Sequence, residues 1–249
     1  MGQLQGRGNL IIKEAAETVV HIMREAMAFC QPGVTTKELD DYIGELIDES
    51  PSISAPKKFY KFPSNACISV NDELAHGIGS DRVIEEEDLV KIDISILHDN
   101  GMCADICRTV YHGSDPERQH LIDISELCVL NAIKDLKAGK SVQSIGRAIE
   151  ETALDNGVFV VEELMGHGIG KTLHEPPTIP TTFSLSKLLG SERLEEGDVI
   201  CIEPVITRTS TVVYADGRVY MSGTGAHGAQ YEDMILVGKD SVINLTGAV

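Results

Sequence analysis

Residues 88–111 read DLVKIDISILHDNGMCADICRTVY, two runs rich in apolar and β-branched side chains around a short polar centre. The first run, 88–98, alternates apolar and polar residues, which is typical of a strand with one buried face. The triplet 99–101 (DNG) is typical of a turn, and residues 102–111 have the composition of a second strand. The stretch therefore predicts an antiparallel hairpin.

Each strand of this hairpin carries one aspartate among apolar neighbours, Asp93 and Asp105. With a turn of three residues, positions of like parity share a face, so the two carboxylates become direct or diagonal neighbours with Cβ atoms about 4.5–8 Å apart. Like charges at that distance repel unless one is protonated, solvent screens them, or a cation lies between them. Asp93 alone is equally well explained as an acid on the solvent-exposed face of the strand, so a metal site needs further ligands.

Three further side chains are candidates for those ligands. His167 lies in MGHGIGKTLHEPP (165–177), seven residues before His174. This spacing fits one face of a helix, but each glycine around His167 costs about 1 kcal/mol in a helix interior, so we expect a sharp bend or a close backbone approach. Glu203 follows an apolar run and Glu232 precedes another. Each residue alone is more typical of a surface or structural position, but four carboxylates with one imidazole favour a pair of divalent ions.

The composition argues against two classes of partner. The formal net charge is −18, from 21 Lys and Arg against 39 Asp and Glu, which is unsuited to the phosphates of nucleic acid. No apolar run approaches the roughly 20 residues of a membrane span, and the N-terminus lacks a signal-peptide pattern. The six cysteines form no CxxC pair, as expected for reduced thiols. We predict a cytoplasmic protein that binds neither nucleic acid nor membranes.

The remaining patterns repeat one order of elements, two helices followed by strands. A Thr35 or Thr36 cap with Glu38 begins the second helix, and Pro51 and Pro56 indicate a loop. The predicted helices lie at about 9–30, 36–49, 115–137 and 141–155, and the strands outside the hairpin at 66–70, 198–207, 211–215, 218–221 and 231–237. This order indicates one α+β domain of two similar halves.

Six stretches together resemble the type I methionine aminopeptidases. They are NACISVNDELAHGI (65–78), DLVKIDISI (88–96), ADICRTVYHG (104–113), MGHGIGKTLHEPP (165–177), EEGDVICIEPVI (195–206) and GAQYEDMILV (228–237). They span essentially the whole chain in the order of that family. The resemblance implies a pita-bread fold, in which two pseudo-symmetric α/β halves surround a central antiparallel curved sheet. It implies one domain over residues 1–249, without the N-terminal zinc-binding or creatinase-type extension of some relatives.

The resemblance also implies an activity, the removal of the N-terminal methionine from nascent proteins with a small second residue by a metal-activated water. The metal ligands that it implies, for two divalent ions (Co, Mn, Fe or Zn) bridged by the aspartates, are Asp93, Asp105, His167, Glu203 and Glu232. Beyond binding metal, Glu203 would carry a proton from the water to the leaving amine. His174 would stabilise the tetrahedral intermediate, and His76 would bind the leaving-side nitrogen.

Substrate choice would come from an apolar pocket, which the resemblance assigns to Phe59, Phe62 and Cys67. The alternative for these residues is a surface loop whose aromatic rings anchor it to the core. The implied partners are the N-termini of nascent polypeptides, with the ribosome as an open alternative, and we expect a monomer.

The chain departs from the family pattern mainly near the pocket. Ala75 stands where the family commonly has Cys, Leu173 where it often has Phe, and Arg218 where it usually has Trp. One extra residue lies in the turn near 98–100. Two other functions therefore stay open: a proline-directed or broader-specificity aminopeptidase on the same fold, and a non-catalytic pita-bread binding protein.

Overall fold

The computed structural model describes residues 2–189, 192–210, 212–215, 219–247 and 249. These residues contain six helices and fifteen strands, joined by turns and loops. The helices are α1 Gly2–Phe29, α2 Thr36–Glu49, α3 Ala55–Tyr60, α4 Pro116–Ile133, α5 Gln143–Asp155 and α6 Phe183–Leu189. The strands are β1 Ser52–Ser54, β2 Cys67–Val70, β3 Glu73–Ala75, β4 Val90–His98, β5 Cys103–Val110, β6 Phe159–Val160, β7 Gly166–Gly168, β8 Glu175–Ile179, β9 Val199–Ile202, β10 Val205–Thr207, β11 Val212–Ala215, β12 Val219–Ser222, β13 Gly228–Gln230, β14 Asp233–Val237 and β15 Val242–Asn244.

The first half packs α1 and α2 against a four-stranded antiparallel sheet centred on β4. Strands β1 and β2 pair with one edge of β4, and β5 pairs with the other. Because side chains alternate along a strand, Ile92, Ile94 and Ile96 point together into the helices and are fully buried. The predicted capping box begins α2, where Thr35 accepts from the backbone N–H of Glu38 and the Glu38 carboxylate accepts from Thr35.

In the second half, α4 packs against β10 and β13 of a three-stranded antiparallel sheet, and α5 packs against β6 of that sheet and against β8. Strand β8 belongs to a five-stranded antiparallel sheet of order β15-β14-β9-β7-β8. A second apolar cluster, distinct from the one around α1, includes Ile200 and Ile235. The sheets of the two halves meet where an isolated bridge pairs Cys107 with Glu232. The predicted α+β class is confirmed, with two long helices packed against an antiparallel sheet in each half.

Two local predictions were wrong. The stretch between Pro51 and Pro56 is not a loop, because it holds β1 and the start of α3, where Pro56 occupies the first turn that tolerates proline. The run 198–207 is not one strand, because it divides at Glu203 into β9 and β10, which belong to different sheets. No helix among the described residues is long and apolar enough to cross a membrane.

Candidate active site

The β4–β5 hairpin places Asp93 and Asp105 on one face, as the spacing predicted. Residues 99–102 connect the strands, the backbone N–H of His98 donates to the carbonyl oxygen of Met102, and Gly101 within this turn adopts the left-handed backbone (φ 85°). Asp93 lies directly opposite Cys107, and Asp105 lies opposite Ser95, so the two carboxylates are diagonal neighbours. The Ser95 hydroxyl donates to Asp105 Oδ1 at 2.8 Å. The turn therefore leaves both aspartates on the same face of the hairpin.

The second half supplies three more groups to the same place. His167 lies on β7, Glu203 directly follows β9, and Glu232 directly precedes β14. His167 Nε2 is 3.4 Å from Glu203 Oε1 and 3.8 Å from Asp105 Oδ2. The five residues singled out from the sequence thus converge at the junction between the halves.

The glycines around His167 act by close approach in extended strands. A Cβ on Gly166 would lie 2.3 Å from the carbonyl oxygen of Cys201, and one on Gly168 would lie 2.2 Å from that of Pro176. Real Cβ atoms do not come so near to backbone, so both positions require glycine. The helical alternative is excluded because these residues form β7. The pairing of β7 with β8 shifts register between His167 and Gly168, so the close approach is accompanied by a local irregularity of the strand.

The carboxylates are strongly perturbed. The pKa values of Asp93, Glu203 and Glu232 lie well above the usual range. Burial is the largest cause, and repulsion between the neighbouring carboxylates is the next. Burial also raises the pKa of Asp105, to about 6. Asp93 and Glu203 reach the surface of a cavity, yet both are surrounded closely enough by protein for burial to dominate.

His167 carries the opposite shift. Burial, and then the charge of His174, lower the pKa of His167 to about 3. The ring is therefore neutral at pH 7, which is the form that binds metal. Its Nδ1 lies 3.0 Å from the carbonyl oxygen of Gly168, so an Nδ1–H that donates there leaves Nε2 facing the carboxylates with its lone pair.

The donor set fits divalent cations. Glu232 is 1% exposed, and its Oε1 has no hydrogen-bond partner among the described atoms. A buried acceptor without a donor is costly, and several buried carboxylates within reach of one another need positive charge between them. Carboxylate oxygens with one imidazole suit Mn²⁺, Fe²⁺, Co²⁺ or Zn²⁺.

A cavity of about 240 Å³ opens above these groups. Of the residues proposed for substrate contact, Phe62, Cys67, His76 and His174 line it. Phe59 does not, because it packs against the hydrophobic core of the first half. The remaining lining includes Pro56, Tyr60 and Leu173, so the position that departs from the family's Phe does face the cavity.

Tyr60 is a site residue that the sequence analysis missed. Its hydroxyl is 2.7 Å from His174 Nδ1, and the two rings stack with centroids 5.3 Å apart. Neighbouring residues on a helix point about 100° apart, so α3 turns Phe59 inwards and Tyr60 towards the cavity. The signal was Ser54 followed by Pro56, a helix start that we read as a loop.

His76 sits on strained backbone. Its φ is 60°, in the left-handed region that non-glycine residues seldom adopt. Its ring packs against that of Tyr220 in a T-shaped arrangement, with ring centroids 5.5 Å apart. The neighbouring Ala75 is buried in β3. The sequence departure at Arg218 lies outside the described residues.

Arg108 is a second residue that the sequence analysis missed. It is 5% exposed and donates to the carbonyl oxygens of Cys107 and Glu232 and to Asp233 Oδ1, at 2.8, 2.6 and 2.7 Å. The arginine therefore fixes the backbone of a candidate ligand. A cation within a predicted buried strand was the available signal.

Known proteins are similar to this chain over most of its length. A sequence model of metallopeptidase family M24 matches residues 11–239. A methionine aminopeptidase of Staphylococcus epidermidis is 39% identical over 90% of this chain and 88% of its own. Methionine aminopeptidase 2 of Bacillus subtilis is 38% identical over 92% of each chain.

A solved structure extends the comparison to the fold. The methionine aminopeptidase of Rickettsia prowazekii superposes with a TM-score of 0.91 at 27% identity, covering 97% of both chains. The predicted resemblance and the predicted pita-bread fold are thereby confirmed. The chain belongs to metallopeptidase family M24, which implies that it binds divalent metal, and the structure contains a buried cluster of potential ligands in Asp105, His167, Cys201 and Glu232.

Proposed function

We propose that this protein removes the N-terminal methionine from peptides and nascent proteins whose second residue is small. The observation that carries the proposal is the convergence of Asp93, Asp105, His167, Glu203 and Glu232 beneath one cavity. We propose further that these five residues hold two divalent ions. When bound, such ions lower the pKa of a water molecule towards neutrality and polarise the scissile carbonyl.

Glu203 is the proposed proton carrier. It directly follows β9 and lines the cavity, and its Oε1 lies 3.4 Å from His167 Nε2. Burial, and then the neighbouring carboxylates, raise the pKa of Glu203, which favours a carboxyl group that takes a proton from the attacking water and passes it to the leaving amine.

His174 and His76 are the proposed hydrogen-bond donors to substrate. Tyr60 holds Nδ1 of His174, which leaves Nε2 to face the cavity and to donate to the oxygen that becomes negative. The His174→Ala substitution should lower kcat about 10²–10³-fold with a smaller change in KM, because this hydrogen bond forms in the transition state. His76, which also lines the cavity, would bind the nitrogen that leaves.

The first side chain of the substrate would lie among Tyr60, Phe62, Cys67 and Leu173. Aromatic edges and a sulfur atom suit a thioether. The free amino group of the substrate is a cation, so the carboxylates below the cavity favour an N-terminus over an internal peptide bond.

The test is the release of methionine from Met-Gly-Met-Met, beside Leu-, Pro- and Ala-led analogues. Metal-free protein would be titrated with Co²⁺, Mn²⁺, Fe²⁺ or Zn²⁺. Asp105→Asn should abolish release, and the surface variant Asp240→Asn should leave it unchanged. Release from Leu or Ala peptides would overturn the methionine specificity, and cleavage only before proline would identify a proline-directed peptidase. Metal binding without cleavage of any peptide would identify a binding protein.

A further inference from the structure

A second cavity lies between α5 and β6, outside the candidate active site. Its volume is about 240 Å³, and none of its lining residues also lines the active-site cavity. Pockets that hold small molecules have volumes of roughly 300–1,000 Å³, so this cavity fits a side chain of a polypeptide better than a free metabolite. We call it the β6 groove, and its lining includes Leu154, Phe159, Val160, Glu162 and Glu163.

Strand β6 borders the groove with an unpaired edge. Among the described strands it pairs only with β10, at the end of a three-stranded sheet. The register places Val160 opposite Ile206, and the next residue, Val161, donates its backbone N–H to the carbonyl oxygen of Val205 at 2.9 Å. Hydrogen-bonded and non-hydrogen-bonded pairs alternate in an antiparallel ladder, so the N–H and C=O of Val160 point away from β10. The edge therefore offers one donor and one acceptor to a further strand.

The sides of the groove are apolar and exposed. Leu154 of α5 is 57% exposed, and Phe159 of β6 is 41% exposed. Phe159, Val160 and Val161 all line the groove, although successive side chains of a strand point to opposite faces. The groove therefore follows the edge of β6 rather than one face of the sheet. A strand added along this edge would cover both exposed side chains.

The rim of the groove is acidic. Glu150, Glu162 and Glu163 line it, and the last two are exposed. Within the part of the chain that the structure describes, no Lys or Arg nitrogen lies within 4.0 Å of any of these carboxylates. Positive side chains of a partner would complement the rim, whereas a second copy of this chain would bring its own glutamates against it. Charge therefore favours a basic polypeptide over self-association.

We propose that the β6 groove binds an extended, basic segment of another polypeptide. The segment adds a strand to β6 through hydrogen bonds to the N–H and C=O of Val160. One of its apolar side chains packs against Leu154 and Phe159, and its lysine or arginine side chains face Glu162 and Glu163. In this mode of recognition the main-chain hydrogen bonds supply affinity, and the pockets beside the edge supply specificity. The proposed peptide cleavage uses none of these residues.

The test is fluorescence anisotropy with the peptide acetyl-Lys-Val-Lys-Leu-Lys-Val-Lys-amide, labelled with fluorescein on its last lysine. The acetyl group removes the terminal amine that the active site is proposed to recognise. Zinc-loaded wild-type protein should bind this peptide saturably, and it should not bind an analogue with glutamate in place of every lysine. An analogue N-methylated on its three central residues should bind about tenfold more weakly or worse, because it lacks the amide donors for strand pairing.

Variants of the protein test the same contacts from the other side. Val160→Pro removes only the outward N–H, at a position where an edge strand tolerates proline, and should weaken binding about tenfold or more. Glu162→Gln with Glu163→Gln should weaken binding about three- to tenfold at low salt and less at high salt. Glu195→Gln with Glu196→Gln is the matched control, because these adjacent exposed glutamates lie outside the groove. Urea unfolding checks that each variant folds.

Several results would overturn the proposal. Absence of saturable binding, or equal weakening by the two glutamine pairs, would leave only a diffuse attraction to an acidic surface. Full binding of the N-methylated peptide would exclude strand pairing, and this result decides the question even if Val160→Pro does not fold. Loss of binding in Asp105→Asn with full binding in Val160→Pro would place the peptide in the active-site cavity. A dimer in sedimentation that Leu154→Ser dissociates would identify a second copy of the chain as the occupant.

Discussion

Removal of Arg108 should destabilise the protein strongly and loosen its metal site. The guanidinium donates to two backbone carbonyls, to Asp233 Oδ1 at 2.7 Å and to the carbonyl oxygen of Thr246 at 3.0 Å. The side chains of the ion pair are 6% and 0% exposed. Arg108→Met fills similar space and leaves the Asp233 carboxylate buried without its cation.

The expected cost follows from that burial. Breaking one partner of a buried ion pair costs about 3–5 kcal/mol, because the remaining charge is uncompensated. For a chain of this size, 1 kcal/mol shifts Tm by about 2–4 °C, so Tm should fall by about 6–20 °C. Since Arg108 also holds the carbonyl oxygen of Glu232, the variant should retain Zn²⁺ less well.

The assay is urea unfolding of the metal-free and zinc-loaded protein. Arg118→Met is the control, because its pair with Asp115 is 3.6 Å long and partly exposed, so that it should cost less than about 1 kcal/mol. The double variant Arg108→Met with Asp233→Leu removes both charges and should be more stable than Arg108→Met alone. An Arg108→Met protein within about 1 kcal/mol of wild type would refute the reasoning.

Three further predictions concern the scaffold. Gly168→Ala should destabilise by about 1–3 kcal/mol and reduce zinc retention, measured by dialysis, because its Cβ would meet the oxygen of Pro176 at 2.2 Å. Thr35→Ala should lower the free energy of unfolding by about 1 kcal/mol through loss of the helix cap. Burial lowers the pKa of Lys91 to about 8 from the usual 10.5, so the native state binds fewer protons than the unfolded chain between those values. The free energy of unfolding of wild type relative to Lys91→Met should therefore rise from pH 8 to 10.5. A difference between the two proteins that does not change with pH would contradict the lowered pKa of Lys91.

The sequence correctly predicted features that depend on residues close together in the chain. The parity of the 99–101 turn set the shared face of Asp93 and Asp105, and the Thr35 capping box set the start of α2. Both features depend on interactions between residues close in sequence, so the local sequence is enough to predict them.

The sequence predicted less where distant segments meet. The glycines beside His167 were recognised as special, but their reason is the backbone of Cys201 and Pro176, which only the folded sheet brings near. Phe59 and Tyr60 are adjacent aromatics, and because the start of α3 was missed, Phe59 was assigned to the pocket that Tyr60 lines instead. The nearness of Cys201 to the metal site depends on the pairing of β9 with β7, which no local pattern specifies.

The division of the site between the two halves has a consequence for how those halves are held together. Asp93 and Asp105 lie on the hairpin that packs against α1, whereas His167 lies in the five-stranded sheet and Glu232 directly precedes its strand β14. The hydrophobic cluster around α1 already joins the halves, because it includes Cys201 and Met234 of that sheet. An ion held by both sets of ligands would be a second cross-link at the same junction. We therefore expect hydrogen exchange to slow in both halves when metal binds.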